Sequence, residues 1–130
     1  MPRLVVDAMN VIGSRPTGWW RDRHAAIHEL LGRLQLLTAE TGDEVILVID
    51  AAPPDLPEGS HGGVGVVPAR RRGRDAADDR IVELVAGDPS PSTLVVVTSD
   101  RELRRRVTGL GARVWGAGEL LRRLDELSGP

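Results

Sequence analysis

The chain contains no cysteine, no lysine, no tyrosine and no phenylalanine; its 17 basic residues are all arginine, and its aromatic rings are three tryptophans and three histidines. Without lysine there is no phosphate-binding P-loop lysine, no Schiff base, and no lysine of the receiver-domain or haloacid-phosphatase kind. Without cysteine there is no thiol nucleophile, disulfide or thiolate-ligated zinc, and the redox compartment stays open. Long hydrophobic runs are missing too. The longest purely aliphatic one, Val45 to Ile49, is far short of the roughly 20 residues that span a bilayer, and the N-terminus has no apolar stretch of signal-peptide length. These features lead us to expect a soluble cytoplasmic protein with no membrane partner. The net charge of −2 gives no global field toward nucleic acid or anionic lipid.

The 130 residues are expected to form one domain, residues 1–130, large enough for a core without staples. Three aliphatic runs lack alternation: Leu4 to Val6, Val45 to Ile49 and Leu94 to Val97. Such runs suit parallel strands covered on both faces. Between the first two, Ile27, Leu30, Leu31, Leu34 and Leu37 mark one stripe of a long helix, with Gly42 as its stop. Val64 to Val67 reads as a weaker strand of open direction, after a Pro/Gly-rich connection. Asp75 opens a helix carrying Ile81, Leu84 and Val85. A short helix from about Arg101, a strand at Ala112 to Trp115 and a helix from Glu119 to Leu127 complete the chain. The order β-α-β-β-α-β-α-β-α implies an α/β sandwich with a mostly parallel sheet.

The informative feature is what ends the central strands: Asp7, Asp50 and Asp100. In a parallel sheet these positions share one rim, where open α/β folds bind ligands. Asp75, Asp78 and Asp79 occupy the first turn of a helix expected to start on the same rim. Gathered carboxylates repel one another, and a divalent cation such as Mg²⁺, which takes carboxylate oxygens, waters and substrate phosphate, relieves this. Helix capping competes with that reading. Asp75 is most simply an N-cap. Asp100 can be cap or ligand, and Asp79 ligand or surface acid. Asp50 is equally balanced, since acids commonly end strands. Asp7 points to function, because it follows a buried strand and precedes no obvious helix start.

Three segments in order, D-A-M-N-V-I-G at Asp7 to Gly13, A-D-D-R-I at Ala77 to Ile81 and T-S-D-R-E-L at Thr98 to Leu103, resemble the NYN branch of the PIN-like nucleases. Within it the chain looks most like the YacP-like group, a likeness extended by V-I-D at Val48 to Asp50 and G-A-G-E-L-L-R at Gly116 to Arg122. The resemblance implies a three-layer PIN-like sandwich of strand order 3-2-1-4-5 and an endoribonuclease using Mg²⁺ or Mn²⁺. By position it implies that Asp7, Asp78 and Asp100 hold metal, that Asp79 is a further catalytic acid, and that Asn10 positions substrate or the first acid. It matches Glu102 to another acidic position and implies 5′-phosphate and 3′-hydroxyl products. Ala8-Met9 departs from the commoner Gly-aromatic pair, so stacking there is lost. The group includes ribosome-associated mRNA endonucleases, which makes RNA, and with it the ribosome, the implied partner.

Arg70, Arg71, Arg72 and Arg74 put four guanidiniums in five residues, a candidate phosphate clamp; salt bridges to neighbouring acids are the plainer alternative. Arg104 to Arg106 is a second candidate for RNA contact but reads more simply as an outer helix face. Trp19-Trp20 can stack unpaired bases or pack in the core, and Trp115 is expected in the core. His24 and His28 have the i, i+4 spacing of a metal pair, but Ala25 stands where a metzincin has Glu, so ordinary boundary residues are expected. A non-catalytic RNA-binding or ribosome-associated module on the same fold is the main alternative; a nucleotide-binding α/β protein gives no role to the clustered arginines.

Overall fold

The computed structural model describes residues 3–73 and 75–128. Five parallel strands and one antiparallel edge strand form a single sheet: β1 (Arg3–Asp7), β2 (Glu44–Ile49), β3 (Gly59–His61), β4 (Val64–Pro68), β5 (Leu94–Val97) and β6 (Arg113–Trp115), in the order β3-β4-β2-β1-β5-β6. The helices are α1 (Ala8–Gly13), α2 (Arg23–Thr41), α3 (Ala76–Ala86), α4 (Arg101–Gly109) and α5 (Ala117–Ser128). The five expected strands stand in the expected order, 3-2-1-4-5 in their own numbering, and β4 runs parallel to β2. No helix is long and apolar enough to cross a membrane among the described residues.

The unalternated aliphatic runs are explained by two cores. Leu4, Val6, Val45, Leu47, Ile49, Val95 and Val97 pack on one face under the stripe of α2 and Leu120, Leu121 and Leu124 of α5. Val5, Val48, Leu94 and Val96 face the other way, onto Ile81 and Val85 of α3 and Leu103 and Val107 of α4. Period-two side chains with helices on both sides require apolar residues at every position. Asp22 accepts from the Ala25 N–H (2.9 Å) to cap α2, and Gly42, at φ 75°, ends it.

Two elements depart from expectation. Helix α1 begins directly after Asp7, where no helix start is apparent in the sequence; at six residues it is too short to show a periodic stripe. The Pro/Gly-rich connection also contains β3, which pairs antiparallel with β4 around Gly62-Gly63. Both glycines have positive φ, as a two-residue hairpin needs, and a Cβ on either would fall within 3.0 Å of Gln35 or Thr38 of α2. Trp115 is half-buried against the first core, with the Arg123 guanidinium 4.2 Å over its ring.

Candidate active site

The C-terminal ends of β1, β2 and β5 and the start of α3 surround one open cleft, lined among others by Asp7, Asn10, Asp50, Asp75, Asp78 and Asp100. Residues Val6 and Val97 are register partners, so the strand ends carrying Asp7 and Thr98 lie side by side. The buried Thr98 Oγ1 donates to Asp7 Oδ2 (2.9 Å) and accepts from the Asp100 N–H (3.2 Å). The Asn10 side-chain carbonyl accepts from the Ser99 N–H (2.8 Å), tying α1 to the turn after β5. Ser99 Oγ in turn accepts from the Ala117 N–H (3.0 Å) at the start of α5.

Asp7 is only 6% exposed. Burial pushes its carboxyl up to about 6; repulsion from Asp78 and Asp100 adds to this, while the Thr98 hydroxyl and the Asn10 backbone N–H work against it. Asp78 is also raised, first by burial and then by Asp100 and Asp75, with Arg106 opposing. Asp100 serves both readings at once: Oδ1 caps α4 through the Leu103 N–H (2.9 Å), and the residue lines the cleft. Asp50 also lines it but is held by Arg23 and accepts from the Ala51 N–H (2.8 Å).

The N-cap reading of Asp75 needs correction. Asp75 precedes α3, but its side chain caps nothing and its backbone is left-handed, at φ 64°. Asp is one of the few non-glycine residues that tolerate this region, and the conformation leaves its carboxylate at the cleft. Asp79 lies elsewhere. Its carboxylate joins Arg71 Nη2 (2.6 Å) and Arg106 Nη1 (3.2 Å), which hold it below the usual range. It thereby links the arginine-rich loop to α4. Arg70 pairs with Glu83 (2.5 Å), and Arg72 is exposed. Arg74 lies outside the described residues. Glu102 pairs with Arg105 (2.5 Å). Trp20 is 61% exposed, its ring edge-on to Trp19, and neither lines the cleft.

The donor set suits a hard divalent cation: oxygen ligands, excess negative charge, and a buried acid made reluctant to ionise by its neighbours. Among the described residues, however, no three cleft carboxylates bring one oxygen each within 4.8 Å of one another.

The family profile described as "YacP-like NYN domain" matches residues 4–129. The chain belongs to the YacP-like NYN domain family. Among curated proteins none matches it. The crystal structure of Rae1 (YacP) from Bacillus subtilis superposes with a TM-score of 0.80 at 27% identity, covering 98% of this chain and 76% of that one. The W164L mutant of the same protein gives 0.81 at 28% identity, with 98% and 77% covered. Membership accounts for the sheet order of this NYN domain, and the acid cleft falls at the strand ends where its motifs lie.

Thr98, Ser99 and Arg106 are the participants that sequence reasoning missed. The signal for Thr98 and Ser99 was present: two hydroxyls between a buried aliphatic strand and an acid. Arg106, within a run of three arginines, carries no such mark.

Proposed function

We propose that this NYN domain is a Mg²⁺- or Mn²⁺-dependent endoribonuclease, hydrolysing RNA phosphodiester bonds in the cytoplasm, with ribosome-associated mRNA as a substrate. Asp7, Asp78 and Asp100 are the residues that would hold the ion. The observation that carries this reading is the buried Asp7, raised to about 6 in a cleft whose other acids repel it. An acid kept in that state costs stability, and a cation that binds there recovers it.

When bound, a divalent ion supplies activation of water and neutralisation of charge on the phosphate and leaving oxygen. The chain supplies the geometry. Thr98 and the Asn10 N–H fix the Asp7 carboxylate, capping of α4 fixes Asp100, and α3 brings Asp78 across the rim. Water oxygen forms the new bond to phosphorus as the P–O3′ bond breaks, leaving the 5′-phosphate and 3′-hydroxyl ends expected of the family. No protein nucleophile is required, in keeping with the absence of cysteine and lysine. Arg70, Arg71 and Arg72, with Arg74, are proposed to contact RNA phosphates; the Arg71–Asp79 ion pair is exposed and exchanges for a phosphate at little cost. Asp79 acts here by holding Arg71 and Arg106 at the rim.

The test is incubation of the purified chain with single-stranded RNA and with ribosome-bound mRNA, in Mg²⁺, in Mn²⁺ or in EDTA. Cleavage that needs the metal supports the enzyme. Binding of either RNA without cleavage under every metal condition overturns it in favour of a binding module.

A further inference from the structure

His24 and His28 lie one turn apart at the start of α2, their rings stacked with centroids 4.7 Å apart and planes 24° from parallel. Asp55, from the loop between β2 and β3, reaches both: its Oδ1 is 3.1 Å from His24 Nε2 and its Oδ2 is 3.0 Å from His28 Nε2. One ligand atom from each residue falls within 4.8 Å of the others, and among the described residues no other histidine, aspartate or glutamate group of three does so. His28 Nε2 is shut off from solvent, with Asp55 Oδ2 as its polar neighbour at 3.0 Å. The three residues share none with the acid cleft.

We propose that His24, His28 and Asp55 form a binding site for a divalent transition metal of the zinc class, clamping the start of α2 to the 51–58 loop. Ligand type selects the ion: two imidazoles and one carboxylate suit Zn²⁺ and its neighbours, whereas Mg²⁺ favours oxygen alone. Spacing agrees. Tetrahedral zinc with bonds of about 2.0–2.1 Å places neighbouring ligand atoms roughly 3.3 Å apart, and one ligand atom from each of the three residues already lies within 4.8 Å of the others. Water completes the shell on the exposed side, where His24 and Asp55 face solvent.

The clamp has a definite place. The 51–58 loop carries Pro53 and Pro57, which with Arg70, Arg71 and Arg72 line a groove beside the acid cleft. Arg23 ties the start of this loop to α2: it bonds Asp50 and donates to the Ala51 carbonyl (2.9 Å). Metal at His24, His28 and Asp55 strengthens the existing Asp55 contacts farther along the loop and fixes one groove wall.

The full chain, freed of metal by chelator and dialysis, is titrated with Zn²⁺ alone and with Co²⁺ alone, following thermal unfolding and visible absorption. We expect one zinc equivalent to raise the unfolding temperature and cobalt to give the intense bands of a low-coordinate nitrogen-bearing site. His28→Ala and the shape-conserving His24→Gln and Asp55→Asn should each weaken binding at least tenfold, while Asp7→Asn keeps it. A large excess of Mg²⁺ should not displace the zinc. Absence of binding overturns the proposal. So does binding that vanishes in Asp7→Asn but survives His28→Ala, His24→Gln and Asp55→Asn, because the ion then belongs to the acid cleft.

Discussion

Strand β1 carries a charge at each end, in opposite surroundings. At the start of the strand, Arg3 donates from both terminal nitrogens to the Asp88 carboxylate, at 2.8 Å each, and Nη2 also reaches the Ser90 carbonyl (3.2 Å). The Arg3 bonds, with a Ser90 N–H, hold Asp88 down to about 2. Four residues on, Asp7 has no such cation among the described residues and is driven up to about 6. One end is settled by a bidentate pair; the other, among the described residues, is left short of positive charge, which is the condition the proposed cation site requires. The same contrast separates Asp79, saturated by two arginines, from its neighbour Asp78, which is not.

Breaking the Asp7 end should have the largest effect. Asp7→Asn, Asp78→Asn and Asp100→Asn are each expected to lower RNA cleavage by on the order of 10³-fold or more, with double variants falling little further, because groups acting as a unit are not additive. RNA binding should persist in all three, as measured by electrophoretic shift. A graded, additive loss would contradict a single catalytic unit.

The pH dependence of metal-free stability should distinguish the two ends by sign. Asp7 keeps its proton to about pH 6 when folded but only to about pH 4 when unfolded. Its contribution is therefore full below about pH 4 and is lost as pH rises through 6, by roughly 3 kcal/mol. Asp88 behaves oppositely: its contribution is full above about pH 4 and disappears as pH falls toward 2. Denaturant titrations of Asp7→Asn without metal should lack the first loss and retain the second.

Millimolar Mg²⁺ or Mn²⁺ should stabilise the wild type by about 2.7 kcal/mol at 100 times its dissociation constant, measured as a shift in unfolding midpoint. Most of that gain should vanish in Asp7→Asn. Arg3→Gln, which breaks the settled end, is the smallest change: a slight, salt-sensitive drop in stability with cleavage unaltered. Reduced cleavage in Arg3→Gln would show that the two ends of β1 are coupled.

The sequence reveals the sheet well, because five of its six strands are aliphatic runs or follow a clear helix; β3, Gly-Ser-His, has no hydrophobic pattern and pairs only because a glycine turn folds it back on β4. Three of the rim acids, Asp7, Asp50 and Asp100, were legible for the same reason, since each follows such a run. Side-chain direction was not. Asp78 and Asp79 are adjacent in a first helical turn, yet one faces the cleft and the other the arginines, a choice set by Arg71 and Arg106 from other elements. The left-handed backbone that turns Asp75 from cap to cleft acid is likewise invisible in composition.

The hydrogen bond from Thr98 to Asp7 joins residues 91 positions apart. During synthesis Asp7 leaves the ribosome well before its orienting hydroxyl, Asp100 and the turn that anchors Asn10. Long-range closures of this kind are late events in folding. A nascent chain that stops before β5 holds the first acid without its frame, so the cleft assembles only once β5 and the turn after it have been made.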